Sequence, residues 1–168
     1  MKKQLGIAVM LLGVVSLTAY AGVRFASLVR FDGAIGVDPV SNVVVNGTTT
    51  TVNSNIVRGI SPSGQIWRIA SLDANVTVDG HIRVHGRGLL LGGGNGIGTN
   101  GNQSVFATVF CGATVSNTDL AGVALETDGD FTIDDVLTPA PASPCTTPLL
   151  LIRTTAGARP WFAAGIKR

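Results

Sequence analysis

Ile66–Leu91 carries the longest stretch with one clear period, and that period is two. From Ala70 to Val84 the even positions read Ala70, Leu72, Ala74, Val76, Val78, Gly80, Ile82 and Val84. The odd positions read Ser71, Asp73, Asn75, Thr77, Asp79, His81 and Arg83. Side chains alternate across a strand, so one face here is apolar and the other polar. This is the pattern of an antiparallel sheet lying on a core. Asp79-Gly80 marks a reversal inside it. A loop of two residues would pair Val76 with Arg83 and mix the faces. The expected loop of three, Asp79-Gly80-His81, pairs Val78 with Ile82 and Val76 with Val84. One long strand bent at Gly80 is the alternative.

The other segments are shorter. A strand is expected around Leu28–Phe31, with breaks at Asp32-Gly33 and Asp38-Pro39. Asn42–Val52 reads as a hairpin, Val43–Val45 and Thr48–Val52 flanking Asn46-Gly47, a pair favoured in type I′ turns. Its threonine run suits an edge strand with soft register. Gly86–Gly101 holds a short strand at Leu89–Leu91 followed by a Gly/Asn loop. Gln103–Cys111 is apolar on both faces, which places it centrally. Val123–Leu125 and Phe131–Ile133 are expected to form a second hairpin around Asp128-Gly129-Asp130. Pro139–Pro144 is an extended loop, and Leu149–Arg153 and Trp161–Ile166 are the last strands. No segment after Ala21 has a helical period. Eight to ten short strands with frequent glycine turns predict an all-β, single-domain, Greek-key-like antiparallel β-sandwich, with a small closed β-barrel as the alternative.

Met1–Ala21 departs from this pattern. Lys2 and Lys3 precede an uncharged apolar run from Leu5 to Leu17, and Ala19-Tyr20-Ala21 has the A-x-A form. These features predict a cleaved secretory signal peptide, with Ala21 and Gly22 at the junction and residues 22–168 as the mature domain. The run is short for a membrane span, and no second run of spanning length follows. The expected location is secreted or periplasmic. The Lys-Lys start leans bacterial, so Asn46, Asn75 and Asn102, each in an N-x-[ST] triplet, carry weight only in a eukaryotic route.

Removing the leader changes the charge. The chain has 12 basic and 10 acidic residues, and Lys2 and Lys3 leave with the leader, so the mature domain is balanced. A balanced chain gives no electrostatic ground for nucleic acid as a partner. Lys167 is the single lysine after the leader, which excludes an interior lysine nucleophile.

Cys111 and Cys145 are the two cysteines, and an even count in an exported chain predicts a disulfide. His81 and His85 are the two histidines. On one strand they stand about 13 Å apart, too far for one metal. A metal would need a turn between them, or Asp79 with His81. The alternative is a solvated strip of His81, Arg83, His85 and Arg87, which as an anion-binding face would strengthen at low pH. Glu126, Asp128, Asp130, Asp134 and Asp135 form an acidic tip. Such oxygen ligands suit Ca²⁺, but the spacing is not that of the twelve-residue Ca²⁺ loop. Gly96, Gly98 and Gly101 fit G-x-G-x-x-G without the helix that a dinucleotide site needs, so the live reading is a loop at one end of a sandwich. No G-x-S-x-G occurs. Trp67 and Trp161 read as core residues, and a lectin-like stacking surface is the alternative.

No catalytic constellation is visible, and no cofactor is expected. The expected function is a non-catalytic envelope or extracellular binding or structural module. A metal- or anion-binding protein using the His81–Arg87 face or the Glu126–Asp135 tip is one alternative. A surface assembly subunit, self-associating through Asn42–Val52 or Val23–Phe31 as an edge strand, is the other. Export predicts that protein recovered from its native envelope or medium begins at Gly22, which N-terminal sequencing reads directly; a chain still beginning at Met1 would overturn the compartment.

Overall fold

The computed structural model describes residues 25–168, so the leader and the Ala21–Gly22 junction lie outside the described residues. Among the described residues there are 13 strands. They are β1 (Ser27–Gly36), β2 (Val40–Asn46), β3 (Thr49–Ser54), β4 (Trp67–Arg68), β5 (Ser71–Thr77), β6 (His81–Arg87) and β7 (Leu90–Leu91). Then follow β8 (Ser104–Cys111), β9 (Thr114–Asn117), β10 (Val123–Ala124), β11 (Phe131–Val136), β12 (Leu149–Thr154) and β13 (Trp161–Lys167). The count exceeds eight to ten because β4, β7 and β10 are only two residues long, too short to show a period.

One large antiparallel sheet runs β10-β8-β12-β13-β1-β5-β6-β11, with β9 also beside β8. It curls into a half-barrel, so the fold is all-β and sandwich-like. Its two ends meet at a seam. The Asn117 N–H donates to the Thr138 carbonyl at 3.0 Å, and the Thr138 N–H donates back at 2.8 Å. The inner face holds the apolar half of each alternating strand: Phe31, Leu72, Val76, Ile82, Val84, Leu150 and Ile152 are all buried.

β8 and β12 are buried on both faces, as the unbroken apolarity of Gln103–Cys111 requires. Their inner residues pair as Val109 with Leu150 and Ala107 with Ile152; outside, Phe110 faces Leu149 and Thr108 faces Leu151. Two connections flank this sheet region. From residues 55–63, Val57 and Ile60 pack on the core, and the Asn55 carbonyl accepts from Trp161 Nε1 at 3.1 Å. From the proline-rich loop before β12, Ala142 and Cys145 pack on it too. The two connections touch where Arg58 donates to the Thr147 carbonyl. The Cys111–Cys145 bond, across 34 residues, ties the loop to the end of β8.

Four local expectations are corrected. The break at Asp32-Gly33 is a bulge: β1 runs on to Gly36, its register shifting between Phe31 and Ala34, with Gly33 at φ 84°. The β5–β6 loop has three residues but is Val78-Asp79-Gly80, so Val76 pairs with Ile82 and Ala74 with Val84. A three-residue loop needs its positive φ at the last place, and Gly80 (φ 89°) supplies it. The first hairpin is real, but Asn46 pairs with Thr49, and Gly47-Thr48 forms the loop with Gly47 at φ 59°. The second hairpin does not exist as a ladder. β10 pairs with β8 and β11 with β6, at opposite ends of the sheet. A tight turn does occur there, with the Glu126 N–H bonded to the Asp130 carbonyl at 2.9 Å. It bridges the seam, and the Gly129 carbonyl accepts from the Leu89 N–H at 2.9 Å.

Closing a loop of this length restricts the unfolded chain by roughly 3–4 kcal/mol in the chain-entropy account. Cys111→Ala with Cys145→Ala is therefore expected to lower unfolding free energy by about 3 kcal/mol in urea titrations. A change below about 0.5 kcal/mol would show that the loop is held without the bond.

Candidate functional site

β6 alternates strictly. Ile82, Val84 and Gly86 point into the core, and His81, Arg83, His85 and Arg87 point outward. Gly86 has no room for a side chain, because an added Cβ would lie 2.1 Å from the Phe131 ring. On one side β5 sets Asn75 opposite Arg83 and Asp73 opposite His85. On the other, β11 sets Asp134 opposite Arg83 and Thr132 opposite His85. The predicted basic strip is thus the middle of a three-strand polar face, β5-β6-β11.

Asp134 governs the charge of this face. Its Oδ2 accepts from Arg83 Nε at 3.0 Å and also from Arg83 Nη2, and its Oδ1 lies 2.8 Å from His81 Nε2. The hydrogen bond from Arg83, helped by the Arg83 and His81 charges, holds the Asp134 carboxyl below the usual carboxylate range. The His81–Arg83 half of the strip is therefore an ion-paired cluster rather than an open cationic surface. Further along, His85, Arg87, Glu126 and Asp130 line one shallow concavity. The basic strip and the acidic tip, which the sequence offers as separate candidates, lie side by side.

Several of the carboxylates proposed as metal ligands accept hydrogen bonds from neighbouring groups. Asp79 Oδ1 accepts from the Thr77 hydroxyl, which holds its carboxyl low, and the same hydroxyl lies 3.0 Å from the His81 carbonyl. Asp130 Oδ1 accepts from the Gly88 N–H at 2.9 Å, and Asp128 Oδ1 from the Asp130 N–H at 3.1 Å. Asp135 Oδ2 accepts from the Asp119 N–H at 2.7 Å, beside the seam. These carboxylates satisfy backbone donors. Among the described residues no three His, Cys, Asp or Glu side chains gather in a metal-binding group. The His–hydroxyl contact on this face is His85 Nδ1 with Thr132 Oγ1, at 3.2 Å. It lies on an exposed sheet face where β6 and β11 pair.

Two further concavities open on the surface. A polar groove of about 790 Å³ lies over β1, β5 and β6, lined by Arg30, Asp73, Asn75, Thr77, His81 and Arg83. Its β1 and β5 members were visible only as the polar half of an alternation. At the loop end, a cleft of about 580 Å³ has Trp67, Leu91, Gln103 and Phe162 in its wall. Trp67 stacks on Phe162 at 4.0 Å between ring centroids, and both are buried, as is Trp161. The tryptophans are core residues, as expected. The Gly/Asn loop beside this cleft folds back on β7 through Leu91 N–H to Thr99 O at 2.9 Å and Gly98 N–H to Leu91 O at 2.8 Å.

The feature of the surface that sequence reading underrated is the β2–β3 hairpin. Its 7- and 6-residue strands are exposed at every position. Among the described residues it pairs with no other strand. Val43, Val45 and Val52 share one face, each more than half exposed, and Asn42, Asn46 and Asn53 share the other. Val23–Phe31, the other expected edge, is not one over its described part: β1 lies inside the sheet between β13 and β5.

No family model, curated protein or solved structure matches this chain.

The Arg83–Asp134 pair yields a titration test. A carboxyl whose folded value is lowered stabilises the fold above its unfolded value, and that contribution is lost as pH falls through the folded value. Arg83→Gln is expected to move the Asp134 midpoint upward in carboxyl NMR titration. An unmoved midpoint would show that Arg83 does not hold it.

Proposed function

We propose that this chain is an exported, non-catalytic β-sandwich that works as a structural module of the envelope or extracellular space, docking a neighbouring strand on its β2–β3 arm. The observation that carries the reading is the arm. It stands clear of the core with Val43, Val45 and Val52 bare on one face and, among the described residues, both long edges unpaired. From Pro39 to Val57 the chain contains no charged residue. Free sheet edges in soluble proteins are normally blunted by charge, proline or cover, so an uncharged, uncovered edge marks a pairing surface. Export is supported by the leader and by the Cys111–Cys145 bond, which suits an oxidising compartment. Among the described residues no helix is long and apolar enough to cross a membrane.

A polar ligand on the β6 face is the second reading, favoured by the groove that Arg30, Asp73 and Arg83 line. The two part cleanly under mutation. Val43→Lys with Val52→Lys places like charges directly opposite each other on the exposed face of the arm. Docking through the arm predicts that the native protein sediments in a high-mass envelope or extracellular fraction, and that this variant keeps the wild-type melting temperature but leaves that fraction. Retention of the variant in that fraction would refute docking through the arm and turn attention to the groove.

A further inference from the structure

Building on that reading of the arm, we infer that its partner is a second copy of this chain, joined antiparallel along β3 so that two hairpins make one four-stranded sheet. A two-stranded hairpin without a packed face is marginal in water, and three or more strands are needed for independent stability. The arm has no support from its own core, since every residue from Val40 to Ser54 is exposed. A second hairpin supplies the missing strands.

Charge narrows the partner. An uncharged edge is poorly matched by a charged strand, whose side chains would lose water without gaining a counter-charge. The same uncharged segment is present in every copy of the chain. Within the large sheet the ends of the strand order are bridged at Asn117 and Thr138, whereas among the described residues neither edge of the arm has a partner strand.

The two edges of the arm differ. The β2 edge starts beside Asp38 and Pro39 and shifts register between Val40 and Asn42. Charge, proline and bulges all discourage pairing. The β3 edge has none of them: Thr49–Ser54 is regular, and the next charged residue is Arg58. Asn46 and Thr49 close the two-residue loop as a hydrogen-bonded pair, so the backbone groups of Thr50 and Val52 point away from β2. A two-fold axis through Thr51 sets Thr50 of each copy opposite Val52 of the other. Both outward pairs are then hydrogen-bonded, and the two Thr51 residues face each other as a non-hydrogen-bonded pair. Val52 of each copy lies diagonal to its mate on the valine face, which covers part of what each hairpin leaves bare.

Site-specific disulfide trapping tests this. Both native cysteines are bonded, so one added cysteine is the free thiol among the described residues. Directly opposed side chains of a non-hydrogen-bonded pair lie close enough for a disulfide. Full-length Thr51→Cys, oxidised in its native envelope or medium, is expected to give a covalent homodimer. Val44→Cys, which sits opposite Thr51 within the hairpin and is similarly exposed, should cross-link about tenfold less, because the β3 interface holds only Thr51 at high effective concentration. Equal or greater dimer from Val44→Cys would overturn the β3 register. An adduct of Thr51→Cys with a different protein, and no homodimer, would overturn self-pairing while leaving the arm as a docking element. No adduct from either position would overturn both.

Discussion

The structure depends on one requirement, that β8 and β12 be shielded from water on both faces. An alternating strand needs a core on one side only, and most of the sheet is built that way. β8 and β12 carry Phe110, Leu149 and Leu151 on the side turned away from the common core. Burying a large apolar side chain is worth roughly 1.5–3 kcal/mol, so leaving this side open would be a large loss beside typical domain stability. Val57 and Ile60 from residues 55–63, and Ala142 and Cys145 from the proline-rich loop before β12, pack against the buried cluster to which Phe110 and Leu151 belong. Proline lowers the entropy of such a loop in the unfolded state, and the Cys111–Cys145 bond lowers it further. The disulfide thus serves a packing need that arises from two particular strands.

Charge on this molecule is organised by the same sheet. β6 carries outward-facing basic side chains, and its partner β11 carries Asp134 at the position that meets two of them. The remaining carboxylates of the acidic tip sit beside the rest of the strip or accept from backbone N–H groups. The β2–β3 arm differs from this face: it is uncharged from Pro39 to Val57 and exposed at every strand position.

The period-two alternation from Ala70 to Val84 was enough to place every buried residue of β5 and β6 on its correct face, because strand geometry allows no other assignment. The register of that hairpin was not legible from faces alone. Shifting the pairing by two residues keeps the faces, and the decision belonged to the φ of Gly80. The central position of Gln103–Cys111 was legible because both its faces are apolar. The divergence of β10 and β11 was not: Asp128-Gly129-Asp130 makes a real turn, but its anchor is the backbone of Gly88 and Leu89, some forty residues earlier in the chain. The meeting of His81, Arg83 and Asp134 was hidden for the same reason, since a strand pairing between distant segments sets it. The exposure of the arm was hidden too, because a valine-threonine strand reads alike whether it lies on a core or in water.

β1 lies between β5 and β13, so the first strand of the described chain is completed by the last. Phe31, fully buried, stands in register with Lys167, and the Arg168 N–H reaches back to the Arg30 carbonyl at 3.0 Å. Until β13 arrives, one side of β1 and the inner face beside it have nothing to pair with. Long-range pairing of this kind makes folding slow, because the chain must close its largest loop before the ladder can form. The order of strands thus makes the first strand of the described residues wait for the last.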